Sequence, residues 1–258
     1  MKISEDGGLR MENGAGVTTQ AARPGPLLVF VGVLLCLALG AAGWKTYSAF
    51  SAARERDRAA EVEALALTAT VGGGAALDQA LLGRVRTNFT LALLDSQQQY
   101  DLAAAALTNP PVLDMALVKN RADLQARAEA VRRLIKAARD MREFAENTPE
   151  IYRRELEKHK LPPQAREADL KRFAAEIAAV NPTIIALRRA QVRRAEALLR
   201  LVLLLDGAWG RWDYRPAQQD LSFKQAKDMD AYNMTYEEFN ALSKEAQSLK
   251  DQLKTRTP

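Results

Sequence analysis

The chain has 258 residues, 48% hydrophobic and 27% charged, with a formal net charge of +5. That is enough apolar material for one helical domain of ordinary size plus appendages. The single cysteine, Cys36, excludes an intrachain disulfide, and the single histidine, His159, leaves no second imidazole for a metal site. Ala, Leu, Arg and Glu dominate, which favours helix. The charge excess permits attraction to anionic lipid or polymer without demanding it.

Residues 1–23 are polar and carry as many acids as bases, and they read as a disordered tail. The stretch 24–47, "PGPLLVFVGVLLCLALGAAGWKTY", then contains no charged residue from Pro26 to Trp44. Nineteen residues of this kind suffice for a span, which needs about 20. Pro24 and Pro26 suit a helix start, and Trp44, Lys45 and Tyr47 suit an interfacial anchor. Two other readings compete. Gly40, Ala41, Ala42 and Gly43 offer small residues to a signal peptidase, and a buried soluble helix is disfavoured by the lack of a polar face. Leu35 before Cys36 does not fit a lipoprotein signal.

The expectation is therefore an uncleaved signal anchor, 24–47, in a bacterial inner membrane, followed by a helical domain over 48–258. A single N-terminal span ahead of a large domain suggests an extracytoplasmic domain. The bases beside the span point the other way, with Lys45, Arg54, Arg56 and Arg58 after it against Arg10 and Arg23 before it.

The anchor helix is expected to run on to about residue 69 and to break at "VGGGAALD". A second helix is expected over 76–107, ending at "TNPP", where Asn109 is expected to cap a long helix over 110–146. Leu117, Leu124, Val131, Ala138 and Ala145 recur at seven-residue spacing in that helix, joined by Leu134, Ile135, Met141 and Phe144. Asn120 and Arg127 interrupt the second apolar row, so an antiparallel bundle fits better than a long dimeric coiled coil.

Thr148 with Pro149 starts a short charged helix that ends before Pro162 and Pro163. Leu170, Phe173, Ile177 and Val180 share a face of the next helix. Asn181 with Pro182 starts another, which ends in "LLRLVLLLDG" with Gly207 as its C-cap. In 209–223, Trp212 and Tyr214 alternate onto one face, as do Leu221 and Phe223, around a turn at 215–219, which reads as a small β-hairpin. A last helix is expected to start at Thr235, with Glu238 completing a capping box. Phe239, Leu242, Ala246, Leu249 and Leu253 form its apolar stripe. The fold class is mainly α: a transmembrane helix, then an antiparallel helical bundle with one hairpin. The order of apolar helix, Trp-bearing hairpin and "AYNMTYEEFNAL" resembles that of bacterial helical proteins held at the membrane by an anchor or lipid, which implies no activity.

Chemistry-bearing patterns are few. His159 lies between two lysines, which disfavour its protonation and any cation beside it, and it reads as an exposed helix-end residue. Glu150 with Glu155, Glu167 with Asp169 and Glu237 with Glu238 sit among bases at helical spacing, as solvated faces do. In "RRAQVRRAEALLR", Arg189, Arg193 and Arg200 fall near one face with Glu196 between, a candidate contact for an anionic partner against the plainer reading of an ion-paired surface. Trp209, Trp212 and Tyr214 are candidate ligand aromatics or the hairpin's own core. Two sequons, at Asn88 and Asn233, matter only in a eukaryotic secretory route. No cofactor, metal or nucleic-acid motif is legible. The expected role is a non-enzymatic interaction or scaffold domain of the cell envelope, joined to a protein partner or a second copy through helix faces. An anchored ligand-sensing module is the alternative, and a carboxylate-dependent cell-wall hydrolase the third reading.

Overall fold

The structure is a computed structural model that describes residues 74–108, 111–218 and 220–255. The tail, the apolar run 26–44, the expected helix to residue 69 and the Asn109 cap lie outside the described residues. Among those described, no helix is long and apolar enough to cross a membrane. The fold is mainly helical with one two-stranded antiparallel sheet.

The helices are α1 (Gly74–Ala105), α2 (Arg121–Glu146), α3 (Thr148–Glu157), α4 (Pro163–Ala178), α5 (Asn181–Gly207) and α6 (Ala226–Thr255). Strands β1 (Trp212–Arg215) and β2 (Asp220–Phe223) sit between α5 and α6. Ion pairs give the helix directions. Arg121 meets Asp206, Arg139 meets Glu196, and Glu146 meets Arg189, so α2 and α5 run antiparallel. Arg193 meets Glu245 and Arg200 meets Glu238, so α5 and α6 run antiparallel too.

The core follows the apolar patterns. Leu124, Val131, Ala138 and Ala145 of the seven-residue seam are buried, and Leu134, Ile135 and Met141 join them. Val131, Leu134, Ile135, Ala138 and Met141 pack on Tyr100 of α1, on Leu107 just beyond its end and on Val192, Leu198 and Val202 of α5. The leucine-rich end of α5 is deeply buried, with Leu201, Val202 and Leu205 at 0% exposure. At the α3–α4 end, Tyr152 and Phe173 stack with centroids 3.8 Å apart, and Phe89 of α1 meets each ring edge-on at 5.4 Å.

The expected hairpin forms, with Trp212 opposite Phe223 and Tyr214 opposite Leu221. Gly210, at φ 77, makes the left-handed turn that leads into it, a conformation open to glycine without a Cβ clash. Trp212 packs on Met115, Leu124, Leu205 and Ala208 and so closes the bundle end.

Several helix boundaries differ from expectation, each for a local reason. Helix α2 starts at Arg121, not at 110, because Asn120 builds its own capping box. The Asn120 side chain accepts the Asp123 N–H at 3.1 Å, and the Asp123 carboxylate accepts the Asn120 N–H at 3.1 Å. The residue that broke the apolar pattern is thus the cap. The chain before it forms a 3-10 turn at Met115–Leu117, and Leu117 lies outside the helix and exposed. Arg127 is half-buried and ties this connection down by donating to the Val112 carbonyl at 2.6 Å.

Helix α6 starts at Ala226, not at Thr235. The Thr235 hydroxyl donates to the Ala231 carbonyl one turn back, so it serves the helix interior. Thr148 likewise donates to Phe144 O, and the N-cap of α3 is Asn147. Val180, not Asn181, precedes α5, and Ala208 follows Gly207 as its C-cap.

These assignments separate two substitutions. Asn120→Ala is expected to cost about 1 kcal/mol of stability through loss of the cap. Thr235→Val is expected to change stability by less than about 0.5 kcal/mol, because the Ala231 carbonyl keeps its helical N–H partner. Urea unfolding of both variants checks the pair; a larger loss at Thr235 would restore it as a cap.

Candidate functional site

Helix α5 sends the arginines of its basic run to two sides. On the outer side, Arg189 meets Glu146 at 2.8 Å, Arg193 meets Glu245 at 2.5 Å, and Arg200 meets Glu238 at 2.6 Å. Glu196, between them in sequence, is held by Arg139 at 2.6 Å. The three candidate anion contacts are each tied across a helix boundary. An incoming anion would compete with an internal carboxylate at every one.

On the inner side stands Arg188, 2% exposed. Its Nη1 donates to Gln191 Oε1 at 2.9 Å and its Nη2 to Gln97 Oε1 at 2.8 Å. Its guanidinium lies 5.9 Å from the centre of the Tyr100 ring. Gln97 passes the network on, donating to Asp101 at 2.8 Å. Burial pulls the Arg188 guanidinium down to about 10, against the opposing pull of Tyr100 and Asp101. A buried arginine has no signature in one sequence, because burial of one arginine in a run of five depends on what packs around the helix.

The aromatic trio divides. Trp212 is buried and its indole N–H donates to the Leu205 carbonyl at 2.9 Å. Tyr214 packs partly against the same cluster. Trp209 meets Trp212 edge-on at 5.7 Å and is 38% exposed. Trp212 and Tyr214 are therefore parts of the bundle-end core, and Trp209 is the member that faces solvent.

His159 is not an exposed helix-end residue. Its side chain is largely covered, with Nε2 3.7 Å from Glu155 Oε1. Glu155 in turn accepts from Asn88 at 2.8 Å and from Lys158 at 2.5 Å. Burial pushes the Glu155 carboxyl up, and these donors and cations together hold it below its usual value. Asn88, the first sequon asparagine, is thus tied to α3, and the threonine of each sequon, Thr90 and Thr235, is buried.

The acidic pairs separate as well. Glu150 is on the surface beside Arg153 and Arg154. Glu167 is exposed, whereas its neighbour Asp169 is buried. Asp169 accepts from the Tyr152 hydroxyl at 2.6 Å, from Arg86 at 2.8 Å and from Arg172. It joins α1, α3 and α4 behind the stacked Tyr152 and Phe173 rings. Burial pushes the Asp169 carboxyl up; the Tyr152 hydrogen bond and the two guanidiniums outweigh it and hold the group below its ordinary 3.8. Burial, reinforced by Asp169, pushes the Tyr152 phenol well above its ordinary value.

Space inside the bundle is small. A cavity of about 20 Å³ among Leu93, Phe144, Ile177, Ile184 and Arg188 has the size of about one water and is too small for a substrate. An open groove of about 500 Å³ runs between α2 and α5 over Ala128 and Leu203. It continues for about 320 Å³ over Ile135 and Leu199. Its rims carry opposed charges, including Glu129 with Arg132 and Lys136 with Asp140. Among the described residues, no group of His, Cys, Asp and Glu side chains is arranged to hold a metal ion.

The Asp169 junction predicts a pH dependence. A group whose folded pKa is depressed stabilises the fold above its unfolded value and loses that contribution as pH falls through its folded value. Stability is expected to fall as pH drops below about 3.8. Asp169→Asn should cost about 3 kcal/mol at pH 7 and flatten that acid limb. Glu150→Gln should cost less than about 0.5 kcal/mol. Unfolding free energies between pH 7 and 2 check all three.

No family model, curated protein or solved structure matches the chain.

Proposed function

We propose that the protein is a membrane-tethered, non-enzymatic interaction module of the bacterial cell envelope, with the uncharged run from Pro26 to Trp44 as a single-pass anchor. The length of that run supports the tether, as does the interfacial set Trp44, Lys45 and Tyr47 at its end. The domain lies outside the cytoplasm in this reading.

The observation that carries the interaction role is the apolar surface near the hairpin. On α6, Met229 and Tyr236 are exposed and, seven residues apart, share one face of the helix. Tyr232 stacks on Tyr236 at 5.9 Å and leans on Phe223 of the hairpin at 5.4 Å. A flexible methionine beside rigid aromatics makes an adaptable protein-binding surface. By contrast, the acids a hydrolase would use are engaged: Glu155 and Asp169 are fixed by donors, and Glu238 pairs with Arg200.

A photo-crosslinking residue placed at Met229 or Tyr236 in living cells is expected to give an adduct of one discrete mass, reproducible between cultures. The same residue at Arg133, exposed on α2, is expected to give none. The double substitution Met229→Lys, Tyr236→Lys is expected to leave the circular dichroism spectrum unchanged and to abolish the adduct from a crosslinker at Asn233, exposed between them on the same face. Equal labelling at Arg133, or no adduct at either position, would count against the surface.

A further inference from the structure

Met229 and Tyr236 belong to a longer stripe on α6. Met229, Asn233, Tyr236, Asn240, Ser243 and Gln247 follow one another at alternating spacings of four and three residues. That is the spacing of a two-helix seam, and it keeps the six on one side of the helix for about 27 Å. Met229, Asn233, Tyr236 and Gln247 are exposed, and Asn240 and Ser243 are half-buried. None of the six carries a charge, although Asp230, Glu237 and Lys244 border the stripe. Ala246 and Leu253 hold α6 to α5 from another side. Packing within the bundle therefore does not account for the missing charge at the exposed positions.

The stripe is its own complement. Asn233 and Asn240, seven residues apart, take the same place in the seam. An amide offers both a carbonyl acceptor and N–H donors, so each pairs with its own copy across a two-fold axis. Asparagine at this place in a helix pair specifies register and oligomer state. Charge then sets direction. In an antiparallel pair centred on the stripe the two Glu237 carboxylates would meet, whereas a parallel pair puts them on opposite sides of the seam.

We propose that residues 229–247 form the contact between two copies of this chain, packed as a parallel pair of α6 helices. The inference rests on the interaction surface and the tether proposed above, and it names the partner as a second copy. Two chains tethered at the same end to one membrane already share a direction. A seam with one methionine, one tyrosine and several polar residues is weak in free solution, and tethering to one bilayer raises the effective concentration that pairs it.

The test uses the full-length chain in membranes, with its native cysteine removed by Cys36→Ala and one new cysteine added at a time. Asn233→Cys and Asn240→Cys are each expected to give, on mild oxidation, a disulfide-linked product of twice the chain mass. Met234→Cys, 70% exposed on another face, is expected to give little. Asn233→Lys puts a charge in the seam and is expected to cut the yield at Asn240→Cys about tenfold, with the circular dichroism spectrum unchanged. The photo-crosslinked adduct from Met229 is expected at twice the chain mass. A discrete adduct of another mass, with no disulfide product at either asparagine, would overturn the second copy and leave the surface standing. No adduct of any kind would overturn both. A product as strong at Met234→Cys as at the asparagines, or one at a single asparagine only, would overturn the parallel seam.

Discussion

Burial of α5 on most of its surface is the constraint on which the rest of the fold depends. Leu187, Ala190, Ala197, Leu201, Val202 and Leu205 are all at 0% exposure, which requires cover from several directions. Helix α2 packs along one side, with Val131, Ala138 and Met141 against Val192, Leu198 and Val202. Helix α6 packs along another, with Ala246 and Leu253 against Leu187 and Ala190. Alanines at the contacts let the helices approach closely, and the hairpin covers the leucine-rich end through Trp212. The outer arginines of α5 reach over these contacts to acids on α2 and α6. Exposed pairs of this kind contribute little each and mainly fix the register of one helix against the next.

The opposite end depends on a different interaction. Helices α3 and α4 are short, at 10 and 16 residues, and neither could persist alone. They are held by the Phe89, Tyr152 and Phe173 rings and by Asp169 among Arg86, Tyr152 and Arg172. The charged group is stable there because three donors converge on it; removal of any one would leave a buried carboxylate underserved.

Apolar periodicity made much of this legible in the sequence. The seam from Leu124 to Ala145, the α6 stripe and the buried leucines of α5 follow from spacing alone. The alternation of Trp212, Tyr214, Leu221 and Phe223 placed the hairpin. Helix starts were harder to read, because a side chain that caps and one that bonds back within a helix have the same sequence pattern. Thr235 with Glu238 looks like a capping box and is helix interior; Asn120 looks like a flaw in a heptad and is the cap. Pairing across helices was hidden altogether. Asp169 and Glu167 stand two residues apart in one acidic pair, yet one is enclosed and the other solvated. Arg188 and Arg189 are adjacent, yet they face opposite sides. Only the packing of α1 and α6 separates them, and no local rule contains it.

The molecule thus combines a tightly filled interior with an exposed Met and aromatic surface at the hairpin end. In the proposed account, the apolar run at 26–44 holds this bundle at a membrane, within reach of protein partners. Its most direct test is the topology of a C-terminally tagged chain, read by protease accessibility of spheroplasts together with the mass and N-terminal sequence of the product. The account predicts a full-length, membrane-bound protein that external protease digests. A shortened soluble periplasmic product, or a full-length protein protected until the spheroplasts are lysed, would contradict it.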